Sequence, residues 1–167
     1  YTNTFPKAYK TAISFAAKYR KKDKEYKFKS DAEKFIDDFK LIIIEEVENY
    51  LLEGTAAKYG KAAGLTKKIC TMDPDDYGAK LMYALLSDLT KNKTESKEYM
   101  KICITKLEEY QANSSMLKAM TKSQQTILRF ALMEYSNYYQ LKEPTKAKQM
   151  LEYGKDMYYE KADFLKI

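Results

Sequence analysis

The sequence predicts an all-α protein in which about seven helices pack as antiparallel pairs. Three observations predict it. Apolar residues recur at three- and four-residue spacing along the whole chain, the period of a helix face rather than of a strand. Capping and stop residues interrupt that pattern at helix-length intervals. Gly and Pro are scarce, at 5 and 3 in 167 residues, whereas a β-protein with many tight turns needs more of both.

The elements follow in order. Pro6 suits a first helical turn, and residues 7–22 place Ala8, Thr11, Ala12, Phe15, Ala16 and Tyr19 on one side. Ser30-Asp31-Ala32-Glu33 has the spacing of a capping box, where Ser accepts from an orphan N–H and Glu reaches back. The helix behind it repeats Phe35, Phe39, Ile42, Ile43, Glu46 and Tyr50, and Gly54 is its natural stop. Thr55 caps the next helix, which ends at Met72-Asp73-Pro74. Asp75 or Asp76 starts a helix to Leu89. After the polar turn Lys91-Asn92-Lys93, Thr94 or Ser96 opens a helix to Ala112. Asn113-Ser114-Ser115 breaks the pattern, with a short helix over 115–120. Thr121-Lys122-Ser123-Gln124 is a second capping box, and its helix runs to Leu141. Glu143-Pro144 turns the chain and Thr145 opens the last helix, to Asp163. Short linkers make neighbours antiparallel. The chain thus reads as one helical domain over 1–167: a basic helix and loop at 1–29, then helix pairs at 30–72, 76–112 and 121–163.

A chain of this size buries roughly 70% of its unfolded surface, so it needs no disulfide or metal staple. With 45% hydrophobic and 32% charged residues it has the balance of a folded globular domain. The absence of His excludes a Ser–His–Asp triad, a Cys–His pair and every His-ligated zinc site. Two Cys cannot make a four-thiolate zinc site or a disulfide scaffold. No run of about 18 apolar residues is present to span a membrane. The chain begins at Tyr1 rather than Met, with no visible signal peptide, which predicts a removed upstream segment and leaves a cytoplasmic and an exported location both open.

The net charge of +6 is unevenly placed. Residues 1–29 hold nine basic and two acidic residues, a net +7, and the remainder holds 21 basic against 22 acidic, a net −1. Lys18, Arg20, Lys21, Lys22, Lys24, Lys27 and Lys29, interleaved with Tyr19, Tyr26 and Phe28, form a candidate patch for nucleic acid or another anionic surface. The opposing reading is a solvated helix end, since Arg, the main base-reading residue, is nearly absent.

The strongest organisational signal is internal similarity. Lys68-Ile69-Cys70 recurs as Lys101-Ile102-Cys103, 33 residues on, each in the second helix of a pair. The stretch from Ala62 to Pro74, with small residues early, apolar ones after and a closing Asp-Pro, resembles the second helix of a tetratricopeptide repeat. Ala79, Tyr83, Ala84 and Ser87 resemble the first helix of the next repeat, and Tyr138, the turn at 140–144, Ala147, Leu151 and Gly154 resemble a third pair. The likeness covers roughly residues 30–163, without the family's bulky early Trp and with irregular repeat lengths. It implies a short α-solenoid that binds a protein or peptide. By the same analogy the first helix of each pair lines the concave face, so Arg129, Ser136, Tyr139 and Gln140 are the candidate partner-binding residues, while Phe130, Met133 and Tyr138 turn inward. Gly60 and Gly64, with Ala56, Ala57 and Ala63, are expected to form a close-packing face.

Candidates for chemistry are few. Cys70 and Cys103 sit on apolar faces and are expected to be buried free thiols. The pairs Asp37-Asp38, Glu45-Glu46, Asp75-Asp76 and Glu108-Glu109 would serve a two-carboxylate hydrolase only if two of them shared a cleft; the alternative is helix caps and solvated faces. Asp73-Pro74-Asp75-Asp76 lacks the Gly and distal Glu of a calcium loop, and Gly60-Lys61 lacks the rest of a phosphate loop. Of the 16 Tyr, Tyr135, Tyr138, Tyr139, Tyr153, Tyr158 and Tyr159 cluster late and are expected to pack between helices. The reading is of a noncatalytic scaffold with no cofactor.

Overall fold

A computed structural model of the chain describes residues 29–158, together with Thr11, Ser14 and Lys18, which are helical and exposed. Every regular element among the described residues is a helix. Six helices have ten or more residues: α1 (Lys29–Glu53), α2 (Ala56–Met72), α3 (Tyr77–Leu89), α4 (Lys93–Ala112), α6 (Lys122–Tyr139) and α7 (Pro144–Tyr153). Single turns α5 (Ser115–Lys118) and α8 (Lys155–Tyr158) complete the set. None of them is long and apolar enough to cross a membrane.

Most boundaries follow the local chemistry. Gly54 takes φ +67°, the left-handed conformation a helix stop requires, and Thr55 accepts from the Lys58 N–H at 3.4 Å to cap α2. Asp76 caps α3, accepting from the Ala79 N–H at 2.9 Å. Thr121 and Gln124 form the reciprocal capping box of α6. Three boundaries depart from expectation. The first helix already includes Lys29, so Ser30 lies inside it and does not cap it. Asn92 caps α4, in place of Thr94 or Ser96, because Lys91 turns through φ 65° and aims the Asn92 side chain at the Glu95 N–H. Pro144, one residue before Thr145, opens α7, which stops at Tyr153 with Gly154 separating it from α8; the expected end at Asp163 lies outside the described residues.

Short links pair α1 with α2, α3 with α4 and α6 with α7, and the pairs stack through α2–α3, α3–α6 and α4–α7 contacts. The middle helix carries the core. Every residue of α3 from Leu81 to Ser87 is buried, so the helix is enclosed on all sides. α1 reaches past α2 to pack on α6 as well, which closes the stack around α3. The expectation that first helices line an open concave face therefore fails at the middle pair.

Small residues do different work from that expected. Gly60 and Gly64 are exposed, and a Cβ at either would meet nothing within 4 Å. The close approach is at Gly78 instead, where a Cβ would lie 2.5 Å from the Leu128 amide nitrogen and 2.6 Å from its Cα. There α3 and α6 cross backbone to backbone. The repeated triplets also differ in setting: Ile69 is buried and Cys70 half-buried, whereas Ile102 is exposed and Cys103 buried. The two copies are out of rotational phase.

Candidate functional site

Two surface depressions stand out, and each begins from how α6 is oriented. Its buried face is Ile127, Leu128, Ala131, Leu132, Tyr135, Ser136 and Tyr139, a run at helical spacing that meets α3 at the Gly78 crossing and α1 beyond it. This corrects the exposure expected for the four partner-binding candidates. Ser136 and Tyr139 are buried, Arg129 is half-buried, and only Gln140 is exposed, while Phe130, Met133 and Tyr138, expected inside, are half-exposed. Tyr139 turns instead toward α3, and Ser136 sits at the buried base of the α6–α7 interface. Tyr139 is a tether: its hydroxyl donates to Asp88 Oδ2 at 3.1 Å, and its ring stacks on Tyr135 at 4.5 Å. Burial pushes the Tyr139 hydroxyl up to about 12. Asp88, in turn, has a lowered pKa; burial opposes this, but the Lys93 ion pair and the Tyr139 hydrogen bond outweigh it.

The first depression is a groove of about 270 Å³ between α6 and α7. Met133, Pro144, Ala147 and Leu151 give it apolar walls, and Ser136, Asn137, Gln140 and Lys148 give it polar groups. Two of the predicted residues, Ser136 and Gln140, thus reach it. Asn137 and Lys148 were not legible as site residues, since nothing in their spacing separates them from any solvated helix position. In the turn between the two helices Leu141 is 94% exposed, an apolar side chain held in water.

The second depression, about 300 Å³, lies over a buried ion cluster. Lys40, 1% exposed, places its ammonium 2.9 Å from Asp73 Oδ2 and 2.5 Å from Asp76 Oδ2. Gln124 donates to the same Asp73 oxygen at 3.0 Å, and the Ser123 N–H donates to Asp37 Oδ1 at 3.0 Å. Burial pushes the Asp76 carboxyl up, opposed by the Lys40 charge. Asp37 is held low: burial opposes this, and hydrogen bonds from Ser123 and Thr121 prevail. The cluster joins the middle of α1, the α2–α3 junction and the start of α6. With Lys40 shared between two carboxylates, the arrangement is a lock between elements. Sequence reasoning passed over it, although Lys40 stands in phase with Ile36, Ile43 and Val47 on the core face of α1, a charge where an apolar residue is the rule.

The remaining candidates are placed as follows. Cys70 and Cys103 are free thiols, each pushed up to about 12 by burial. Tyr135 and Tyr153 are buried between helices, as expected. Among the described residues no group of His, Cys, Asp or Glu side chains is arranged to hold a metal ion. Of the basic patch, Lys18 is exposed and Lys29 is the first residue of α1, while Arg20, Lys21, Lys22, Lys24 and Lys27 lie outside the described residues. No protein-family model matches the chain, and no curated protein or solved structure matches it either.

Proposed function

We propose that this protein is a noncatalytic scaffold of stacked helix pairs, tetratricopeptide-like in kind, that binds a protein or peptide partner in the groove between α6 and α7. One observation carries the reading: an open groove with apolar walls and a few polar groups. Apolar surface next to placed hydrogen-bonding groups is what a short peptide needs for burial and register. Ser136 and Gln140 supply two such groups, and Lys148 adds a charge that favours an acidic side chain on the partner.

Selection of a displayed random-peptide library against the full chain tests this. Enriched peptides are expected to bind at least about tenfold more weakly to Asn137→Arg and Gln140→Arg, exposed positions whose longer side chains block the groove, with thermal unfolding unchanged. Peptides that bind both variants as tightly as the parent chain would overturn the assignment. A fluorescent oligonucleotide whose affinity falls steeply with salt would instead favour the alternative, an anion binder acting through the basic segment.

A further inference from the structure

The two most exposed large apolar side chains among the described residues are leucines beside helix–helix turns. Leu141, in the α6–α7 turn, is 94% exposed, and Leu52, in the last turn of α1, is 80% exposed. Phe35, Ile42 and Ile102 come next, at 54% or less. Both leucines lie at one end of the molecule. α1 and α6 run side by side in the same direction: the Ser123 N–H donates to Asp37 near their starts, and near their ends burial, with the Glu48 charge added, raises the Glu134 carboxyl. Both pairs are 86 residues apart in the chain, a register that sets Leu52 level with Tyr138 and so less than one helical turn from Leu141.

The turn between α3 and α4 comes to the same end. α3 also runs along α6 in the same direction, meeting it where Gly78 crosses Leu128 and again where the Tyr139 hydroxyl donates to Asp88. Three stretches thus form this end, residues 51–58, 88–93 and 140–146, and they hold five lysines and three carboxylates. Each carboxylate already has a lysine: Glu53 with Lys58 at 2.7 Å, Asp88 with Lys93 at 2.5 Å, and Glu143 with Lys146 at 3.7 Å. Lys91 and Lys142 are the surplus, and both are exposed. The Lys142 ammonium rests 3.8 Å from the centre of the Tyr138 ring. Lys91 holds φ 65°, the left-handed backbone that the end of α1 gives to Gly54. A lysine is strained there where glycine is not, and its presence keeps a cation in the turn.

We propose that this end of the molecule docks on an anionic lipid bilayer, with Leu52 and Leu141 entering the boundary of the acyl layer and Lys91 and Lys142 at the headgroup phosphates. The surplus of lysine sets the sign of the surface it meets. Single leucines beside separate turns suit a fluid apolar layer, which closes around each of them, whereas a close-packed protein partner needs a shaped recess for each. Nucleic acid would answer the lysines and leave the leucines in water. The surface is separate from the groove between α6 and α7, since none of these four residues lines it.

Sedimentation of the full chain with vesicles of phosphatidylserine and phosphatidylcholine tests it, with phosphatidylcholine alone as the neutral comparison. Binding to the anionic vesicles only is expected. A Leu52→Asp, Leu141→Asp variant and a Lys91→Gly, Lys142→Gln variant are each expected to bind at least about tenfold more weakly. All four positions are exposed, so neither variant enters the core. Lys91→Gly also relieves the left-handed backbone, so the second variant loses binding while its thermal unfolding temperature holds or rises. The chain has no Trp, so Leu52→Trp and Leu141→Trp each supply a single indole. On anionic vesicles its emission is expected to shift to the blue and to be quenched by brominated acyl chains. Absence of vesicle binding overturns the proposal, and so does indole emission that is unmoved in both variants on the bound protein. Binding that neither double variant weakens assigns the vesicle contact to the basic N-terminal segment and overturns it too. Self-association that Leu52→Asp, Leu141→Asp abolishes, without vesicle binding, assigns the leucines to a second copy.

Discussion

A lysine that is 1% exposed keeps its charge only if that charge is paired, and Lys40 is paired twice, with Asp73 and with Asp76. Removing one partner of such a cluster is far more damaging than removing all of it, because the remaining charges lose their counterion while still buried. Lys40→Met is therefore expected to destabilise the fold by about 3–5 kcal/mol. Adding Asp73→Asn and Asp76→Asn to Lys40→Met is expected to recover most of that loss. Asn at 76 can still cap α3 through the bond Asp76 now accepts from the Ala79 N–H. Denaturant unfolding of the single and triple variants checks both statements. A triple variant no more stable than the single one would show that packing around Lys40, not its charge, holds α1 to the α2–α3 junction.

Glycines separate the two kinds of helix contact in this molecule. Gly78→Ala drives a Cβ against the Leu128 backbone, which cannot rotate away, so α3 and α6 must part; a loss of about 1–3 kcal/mol or more is expected. Gly60→Ala and Gly64→Ala meet nothing and are each expected to stabilise α2 by about 0.5–1 kcal/mol, since Gly is a poor helix former at exposed interior positions. Thermal unfolding of the three variants reads the contrast directly. The same contrast marks what the sequence could tell. Helix existence, Gly54, Thr55, Asp76 and the Thr121 capping box were legible because each is settled within a few residues. The rotation of α6 was not legible, and with it the burial of Ser136 and Tyr139, because it depends on Gly78 meeting Leu128 fifty residues away. The groove between α6 and α7 was half legible: Gln140 and Ser136 were reached through a family analogy, Asn137 and Lys148 through nothing local.

At the scale of the whole molecule, α3 is the element through which the parts cohere: α2, α4 and α6 all pack on it, and none can leave without exposing its apolar face. Cys70 on α2 and Cys103 on α4 sit on two sides of this arrangement, and the Cys103 thiol donates to the Tyr77 carbonyl of α3 at 3.7 Å. Burial pushes both thiols up, so the reactive thiolate is scarce in the closed fold and labelling is slowed there. A thiol reagent then reports opening of the fold. If the helices open as one cooperative unit, Cys70 and Cys103 label at the same rate, and Lys40→Met speeds both by the same factor, about 100-fold or more for a loss of 3 kcal/mol. Mass spectrometry of the labelled chain against time measures both sites at once. Fast labelling of Cys70 that ignores Lys40→Met, with Cys103 still protected, would mean that α2 separates from α3 on its own. The unit that unfolds would then be the α1–α2 pair, and the ion cluster would join two independently stable halves instead of closing one.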